Sequence, residues 1–301
     1  MLVNNWNSGV TSATLAVPVP RRSSGRRWQS TGLYVGIIAI VLWCLLPFYW
    51  MVVSAFRDVG YTFDTTPWPT HVTLDNFRTV FETSLGNHFG QALLNSTVIG
   101  LATTAIAMVV GTFTAYALAR LHFRGKFLVL GAVLGASMFP GVALVTPLFQ
   151  LFTNIHWLGT YQAVILPDIS FALPLTVWIL TSFFAEMPWE LEQAARIDGC
   201  SPGQAFRLVI LPLAAPGLFT TAILVFISAW NEFLLSNLLS DGNPNVAPVT
   251  VAIANFTGAQ PHQEPYTAVM AAGAIVTVPL VLLVLLFQRR IVSGLTAGAV
   301  K

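Results

Sequence analysis

The chain has 301 residues, of which 55% are apolar and only 9% are charged. Soluble domains carry about 25% charged residues, so this composition excludes an ordinary water-facing surface. The net charge of +2 is too small to indicate a nucleic-acid-binding protein. Charged residues are missing from long blocks of the chain, which is typical of an integral membrane protein.

The N-terminal arm, residues 1–32, contains four arginines and precedes the apolar run Leu33–Val53. A signal peptide would have a shorter apolar core of about 7–15 residues, followed by a small-residue cleavage site. We therefore predict that this run is retained as the first membrane span.

Five further apolar stretches are long enough to cross a bilayer, which takes about 20 residues. Together they predict an all-α integral membrane domain over residues 33–287. The six predicted spans are Leu33–Val53, Ala92–Ala119, Phe127–Phe152, Ala163–Ala185, Leu213–Leu235 and Thr267–Phe287. The third and fourth contain prolines, at which membrane helices tolerate kinks.

Lys and Arg are distributed unequally between the segments that connect these spans. Twelve of them fall on one side and only Arg57 and Arg78 on the other. The positive-inside rule therefore predicts that both termini are cytoplasmic. The predicted cytoplasmic segments are 1–32, 120–126, 186–207 and the tail 288–301, and the external segments are 54–91, 153–162 and 240–266.

Two external segments carry local signals. In the segment 54–91, Thr73 is a plausible N-cap for a short interfacial helix that ends near Phe81. The segment 240–266 is rich in Pro, Gly and Asn, which predicts an ordered but irregular loop.

Motifs for catalysis are absent from the sequence. It has no phosphate-binding loop, no Cys/His cluster with metal-ligand spacing and no nucleophile elbow, so we expect neither an enzyme nor a directly bound cofactor or metal. Only Glu232 and Asp168 are ionisable within apolar runs. This weakens, but leaves open, the alternative of an ion-coupled stand-alone carrier. Asp168 follows Pro167, so a helix-start role near the membrane interface is expected.

The loop between the fourth and fifth predicted spans carries strong helix signals. Pro188 suits the first turn of a helix, and Glu190 and Glu192 complement its positive N-terminus. The pair Ala194–Ala195 favours a helix and leaves room for another surface. Gly199 ends this helix.

A second short helix is predicted directly after it. Ser201 is a candidate N-cap, Pro202 occupies the first helical position and Gln204 completes a capping box. The helix–turn–helix would continue into the fifth span. Such a bracket suits the transfer of force from a soluble partner, and the alternative is an amphipathic linker on the lipid surface.

This loop resembles the EAA loop of binding-protein-dependent ABC importers, E-A-A-x(3)-G-x(9)-I-x-L-P. The chain has Gln193-Ala194-Ala195, then Gly199, then Val209-x-Leu211-Pro212 at matching spacing, and Asp198 fits the sugar-importer form. Gln193 replaces the family's acidic residue and removes a charged contact with an ATPase. Glu192 beside it is expected to substitute in part.

The resemblance extends over nearly the whole chain, to the second, MalG-type permease of disaccharide importers. It includes Leu94-Asn95-Ser96, Trp230-Asn231-Glu232-Phe233 and the tail Gly294–Lys301. Pro212–Leu218 and Val251–Gly258 are similar to trehalose-importer permeases of the SugB kind. The resemblance implies a six-helix, type I, MetI-like permease bundle in the bacterial plasma (inner) membrane, with a cytoplasmic EAA coupling helix.

The same resemblance implies a set of partners. These are a second homologous permease, two ATP-binding subunits that hold ATP and Mg, and an extracytoplasmic substrate-binding protein or lipoprotein that touches the loop 240–266. The implied ATPase-coupling residues are Glu190, Glu192, Gln193, Ala194, Ala195, Asp198, Gly199, Ser201 and Pro202. The implied tail contacts, between the two ATPase subunits, are Gly294, Leu295, Thr296, Ala297 and Gly298.

Four polar or aromatic residues in the spans are candidates for the substrate path, and each has a structural alternative. Glu232 and Asn231 could bind sugar hydroxyls or form interhelical hydrogen bonds. Trp230 could stack on a sugar or pack in the core. Asn95 could face the path or hold helices together.

Overall fold

The computed structural model describes residues 25–256 and 265–297, which are helical apart from short connections and contain no strand. The predicted all-α fold is therefore confirmed for these residues. The helices in the first half are α1 Gly25–Ala55, α2 Asp75–Phe81, α3 Phe89–Arg120, α4 Lys126–Ser137, α5 Gly141–Asn154 and α6 Tyr161–Glu186. Those in the second half are α7 Trp189–Ile197, α8 Pro202–Ala205, α9 Leu211–Leu213, α10 Ala215–Trp230, α11 Leu234–Leu239, α12 Val249–Ala254 and α13 Tyr266–Ala297.

The chain divides after Tyr49 into two compact units. In the first unit, the apolar side chains of α1 from Leu33 to Tyr49 are exposed, and Trp43 is 80% exposed. An apolar helix without a protein cover is the surface expected of a segment that faces lipid or another membrane subunit.

Among the residues that the structure describes, four helices are long and apolar enough to cross a membrane, and the number rises to six if each of two bent helix pairs is one span. The four are Gly32–Ala55, Phe89–Arg120, Tyr161–Glu186 and Tyr266–Gln288. The bent pairs are Lys126–Ser137 with Gly141–Asn154, at 88°, and Pro202–Leu213 with Ala215–Trp230, at 72°. The third and fifth predicted spans are thus interrupted rather than continuous helices.

The prolines differ in their effect. Pro140 lies outside both α4 and α5, as the N-cap of α5, because proline cannot donate the hydrogen bond that would continue α4. Pro167 and Pro174 lie inside the continuous helix α6. The fifth predicted span, Leu213–Leu235, ends early because α10 stops at Trp230 and α11 begins only at Leu234.

In the second unit, α3 packs against α6 and α10, and α10 packs against α13. Glycines permit the closest approaches. A Cβ added to Gly111 of α3 would overlap Thr176 of α6, and one added to Gly217 of α10 would lie 2.6 Å from the ring of Phe183. Small residues at helix contacts allow membrane helices to approach closely.

A buried arginine organises the segment between α1 and α3. The Arg57 side chain is 1% exposed, donates to the carbonyl oxygens of Asp64 and Thr66, and lies 4.9 Å from the ring centroid of Trp50. It therefore folds the loop back on itself. The Thr66 side chain and backbone N–H, assisted by Thr70, donate to the Asp64 carboxylate and hold its pKa below the ordinary value of 3.8.

Two predictions for the connecting segments are corrected. Helix α2 begins at Asp75 with Leu74 as its N-cap, and Thr73 instead accepts a hydrogen bond from the Asp75 N–H at 3.1 Å. The segment 240–266 is not wholly irregular, since it contains the short helix α12, Val249–Ala254. The predicted contacts of Gly298 and the N-terminal arm 1–24 lie outside the described residues.

Candidate functional site

Helix α7 is the centre of the predicted coupling loop, and local sequence defines both of its ends. Pro188 is its N-cap and Glu190 and Glu192 lie in its first turn. At the other end, Gly199 has a φ of 93°, which is a left-handed conformation that favours glycine. The Gly199 and Cys200 N–H groups donate to the carbonyl oxygens of Arg196 and Ala195, at 3.2 and 3.0 Å, which forms a Schellman cap.

The second helix of the loop begins as predicted. Ser201 Oγ accepts from the Gln204 N–H at 3.3 Å, and Gln204 Oε1 accepts from the Ser201 N–H at 2.8 Å. This confirms the capping box, with Pro202 in the first turn of α8. A π-helical turn, Phe206–Ile210, then leads through α9 into the bend before α10.

Helix α7 is attached to the end of α3 by side chains that sequence patterns do not identify. The Tyr116 hydroxyl donates to Glu192 Oε1 at 3.2 Å, and Arg120 Nη2 donates to the Met187 carbonyl oxygen at 2.8 Å. The Arg120 guanidinium also lies 4.8 Å from the ring centroid of Trp189. Glu192 is only 8% exposed, so its bond to Tyr116 is a largely buried link between α7 and the end of α3.

This placement corrects the expectation that Glu192 substitutes for Gln193 in a partner contact. Glu192 and Ala195 are the buried residues of α7, which packs against the turn Phe206–Ile210 and α8, and Glu192 is bonded to Tyr116 of α3. Glu190, Gln193 and Ala194 are exposed, as are Asp198 and Gly199 in the turn and Ser201 and Pro202 at the start of α8. The first three lie at i, i+3 and i+4 on one helix face.

The outer face of α7 ends in an apolar side chain, Ile197, which is 85% exposed. It lies seven residues after Glu190 and so on the same face. A large exposed aliphatic group at the end of a capped helix is suited to insert into a cleft of another protein. Helical periodicity could have identified Ile197, once the inner face of α7 was known.

Asn95 in α3 has a fully satisfied side chain. Its Nδ2 donates to the carbonyl oxygens of Pro244 and Ala247, both at 2.9 Å. Its Oδ1 accepts from Tyr161 Oη at 2.7 Å and from Gln91 Nε2 at 2.9 Å. With both donors and both lone pairs used, Asn95 is a structural link between α3, α6 and the loop before α12.

Different environments surround the three residues at the end of α10, which are Trp230, Asn231 and Glu232. Trp230 is 3% exposed and packs with its ring 5.6 Å from that of Phe226, as in the packing alternative. Asn231 is exposed and its Nδ2 donates to the Ile227 carbonyl oxygen at 2.8 Å. The four candidates therefore do not form a single site.

Glu232 caps α11. Its two carboxylate oxygens accept from the Leu235 and Ser236 N–H groups, both at 2.8 Å. These backbone bonds satisfy amide groups that the break between α10 and α11 would otherwise leave unpaired. The carbonyl oxygen of Glu232 also accepts from Thr250 Oγ1 of α12 at 2.7 Å, and its side chain lines a cavity together with Asp168.

The sequence indicated a helix-start position for Asp168, and the structure corrects this. Helix α6 begins at Tyr161, and Asp168 lies two turns into it, at 6% exposure. The sequence signal, Pro167, misled because neighbouring helices allow a proline inside a membrane helix.

Of the predicted tail contacts, Gly294–Ala297 belong to α13.

A helical membrane bundle with two interrupted spans and a capped helix pair between α6 and α10 defines a multi-pass transport subunit. The chain belongs to the family of binding-protein-dependent transport system inner membrane components, whose model matches residues 107–296. It is therefore an integral inner-membrane permease component and not an enzyme. Permeases of this class work with a substrate-binding protein and with ATPase subunits.

Two relatives are similar over nearly their full length. The trehalose transport system permease protein SugB of Mycobacterium tuberculosis (strain CDC 1551 / Oshkosh) is 49% identical over 87% of this chain and 94% of its own. The trehalose/maltose transport system permease protein MalG of Thermococcus litoralis is 43% identical over 89% of this chain and 96% of its own. The predicted resemblance to this class of permease is confirmed.

Solved structures share the fold. A chain of a bacterial ABC transporter that imports the acidic polysaccharide alginate matches with a TM-score of 0.75 and 18% identity, over 90% of this chain and 99% of that chain. A chain of the MetNI methionine ABC transporter matches with a TM-score of 0.51 and 21% identity, over 70% of this chain and 95% of that chain. The predicted MetI-like importer permease fold is confirmed.

Proposed function

We propose that this chain is the permease subunit of an ATP-driven importer for a carbohydrate, and that the cargo is a disaccharide such as trehalose. The observation that carries the substrate class is the 49% identity to a trehalose permease across 87% of the chain. The second relative is also named for trehalose and maltose. The chain would form half of the translocation path with a second, homologous permease.

In this proposal ATP and Mg are held by two partner ATPase subunits, and α7 inserts its outer face into one of them. The exposed Glu190, Gln193, Ala194 and Ile197 supply that face. The hydrogen bonds from Tyr116 and Arg120, at the end of α3, to Glu192 and to the Met187 carbonyl oxygen just before α7 would carry movement of α7 into the membrane bundle. Both termini and the loop 186–207 would be cytoplasmic, and the tail 294–298 would lie between the ATPase subunits.

On the opposite side, the loop 240–266 would contact the extracytoplasmic binding protein. Asn95 supports this role, since it fixes the backbone at Pro244 and Ala247 from within α3. A fixed loop lowers the conformational entropy that docking would cost.

Uptake of labelled trehalose and maltose by vesicles that carry the whole complex tests the substrate. We expect ATP-dependent uptake of trehalose that persists when ion gradients are collapsed. Uptake of amino acids or glycerol phosphates, with neither sugar transported, would overturn the carbohydrate assignment. Uptake driven by an ion gradient without the ATPase would instead support the alternative of a stand-alone sugar carrier.

Substitution of Gly199 tests the coupling role. Gly199→Pro replaces a φ of 93° by one near −65°, which destroys the Schellman cap while leaving the spans intact. Deletion of residues 193–199 removes the outer face directly. We expect both variants to insert into the membrane but to lose co-purification with the ATPase. Gly203→Ala is the matched control, because a Cβ there meets nothing within 4 Å, and normal co-purification of the Gly199 variant would contradict the proposal.

A further inference from the structure

Three interrupted or proline-containing helices meet at one cavity of about 270 Å³. Its walls come from α3, the start of α5, α6, the end of α10 and the break before α11. The residues on these walls are Thr103, Gly141, Val142, Asp168, Phe171, Ala172, Ser228, Ala229, Glu232, Leu234 and Leu235. Interrupted membrane helices commonly surround the substrate site of a transporter, since backbone groups at a break are tolerated where they line a cavity.

Two buried polar atoms on this cavity have no hydrogen-bond partner among the described residues. They are Asp168 Oδ2 and Thr103 Oγ1, which belong to residues that are 6% and 0% exposed. Buried polar groups are nearly always paired, so these two atoms are buried groups on this wall that are chemically able to bond a molecule with hydroxyl groups. A ligand hydroxyl can donate to the carboxylate oxygen and another can bond the threonine hydroxyl.

The donor set does not suit a divalent cation. Both oxygens of Glu232 already accept backbone N–H groups, which leaves Asp168 as the carboxylate on this wall that is not so occupied, whereas Ca²⁺ takes six to eight oxygen ligands. Apart from Ser228, the remaining wall is apolar and includes the ring of Phe171 and the side chains of Val142 and Leu235. An aromatic ring beside a carboxylate and hydroxyl groups matches a sugar ring, which has apolar C–H faces and a polar edge.

We propose that this cavity is a subsite for a single ring of the transported sugar, with Asp168 and Thr103 as its hydroxyl-binding residues. Its volume of about 270 Å³ lies just below the roughly 300–1,000 Å³ of pockets for drug-sized ligands, which suits one ring. The subsite rests on the proposed carbohydrate cargo, and it assigns a direct sugar contact to this subunit. Sequence reasoning placed Asp168 at a helix start and did not consider Thr103.

The test compares transport with ATP hydrolysis in the whole reconstituted complex, with labelled trehalose as the probe and its binding protein present. Asp168→Ala and Thr103→Val remove the two hydroxyl-binding groups, and Thr103→Val preserves shape. We expect each to lower the number of sugar molecules imported per ATP at least fivefold, while stimulated ATP hydrolysis stays within twofold of wild type. Thr176→Val is the control, since that buried threonine on α6 bonds only the Ala172 carbonyl oxygen of its own helix.

A second readout reports occupancy directly. With Cys44 and Cys200 replaced by serine, Val142→Cys provides a thiol on the cavity wall, and Val72→Cys provides one in an exposed loop. We expect trehalose to slow labelling of the first thiol several-fold during turnover and to leave the second unchanged. An unchanged number of sugar molecules imported per ATP in both Asp168→Ala and Thr103→Val would overturn the subsite alone. So would labelling of the thiol in Val142→Cys that trehalose does not slow. Absence of sugar import by the wild type would overturn the proposed function, and the subsite with it.

Discussion

The contact between α3 and α6 at Gly111 permits a quantitative prediction. A methyl group added there would overlap the Thr176 Cγ2 atom and lie 3.2 Å from its Cβ. Overpacking of this kind costs about 1–3 kcal/mol, and the higher helix propensity of alanine offsets up to about 1 kcal/mol. We therefore expect Gly111→Ala to lower the free energy of unfolding by about 1–2 kcal/mol.

The control for this prediction is Gly135→Ala in α4, where an added Cβ meets nothing within 4 Å. It should keep the propensity gain without the overlap, so the difference between the two variants isolates the cost of the α3–α6 contact. Adding Thr176→Ser to Gly111→Ala removes the overlapping methyl group. The double variant should recover most of the lost stability.

Thermal unfolding of the detergent-purified subunit, at one fixed scan rate, measures these differences. A change of 1 kcal/mol shifts the Tm of a protein of this size by roughly 2 °C, so Gly111→Ala should melt about 2–4 °C below wild type. A Tm equal to that of Gly135→Ala would refute the packing argument. So would a double variant that is no more stable than Gly111→Ala alone.

Three further outcomes follow from the side-chain contacts. Asn95→Ala removes the hydrogen-bond partner of the Pro244 and Ala247 carbonyl groups, at about 0.5–1.5 kcal/mol for each lost bond, and should reduce the yield of monodisperse protein; a normal yield would contradict the linking role. Tyr116→Phe removes the bond to Glu192 and should speed hydrogen exchange of α7 amides about fivefold, equivalent to about 1 kcal/mol, whereas unchanged exchange would show that Arg120 alone holds the helix. Because the pKa of Asp64 lies below its ordinary value of 3.8, its ionised form stabilises the loop above that value, and this contribution is lost as the pH falls through the lowered pKa. Amide protection in residues 57–72, which compares the exchange rate with the intrinsic rate at the same pH, should therefore fall only at acidic pH, and Asp64→Asn should remove that pH dependence.

Sequence patterns predicted those features that are determined within a few residues. The Gly199 turn and the Ser201–Gln204 capping box depend on backbone conformation and local hydrogen bonds, so both were recognisable from residue type and spacing. The apolar length of α3, α6 and α13 identified them as spans for the same reason. The exact ends of the spans were less predictable, because a break such as that at Pro140 depends on neighbouring helices.

Features that require distant parts of the chain were not predictable. The inward direction of Glu192 is determined by Tyr116, which is 76 residues earlier in the chain. Asp168 and Thr103 come together only because α3 and α6 pack side by side. No pattern within α6 distinguishes an aspartate at its beginning from one that lines a cavity.

The two ends of α3 are held by different parts of the protein. Asn95 near its start binds the loop at Pro244 and Ala247, and Tyr116 and Arg120 at its end bind the α7 region. At 1.5 Å per residue, this helix of 32 residues is about 48 Å long, and it links these two regions over most of that length. If docking on α7 moves α3 between two positions, then the same movement alters the surface that the loop at Pro244 and Ala247 offers to a bound protein. By thermodynamic linkage, each partner would alter the affinity of the other by the same factor.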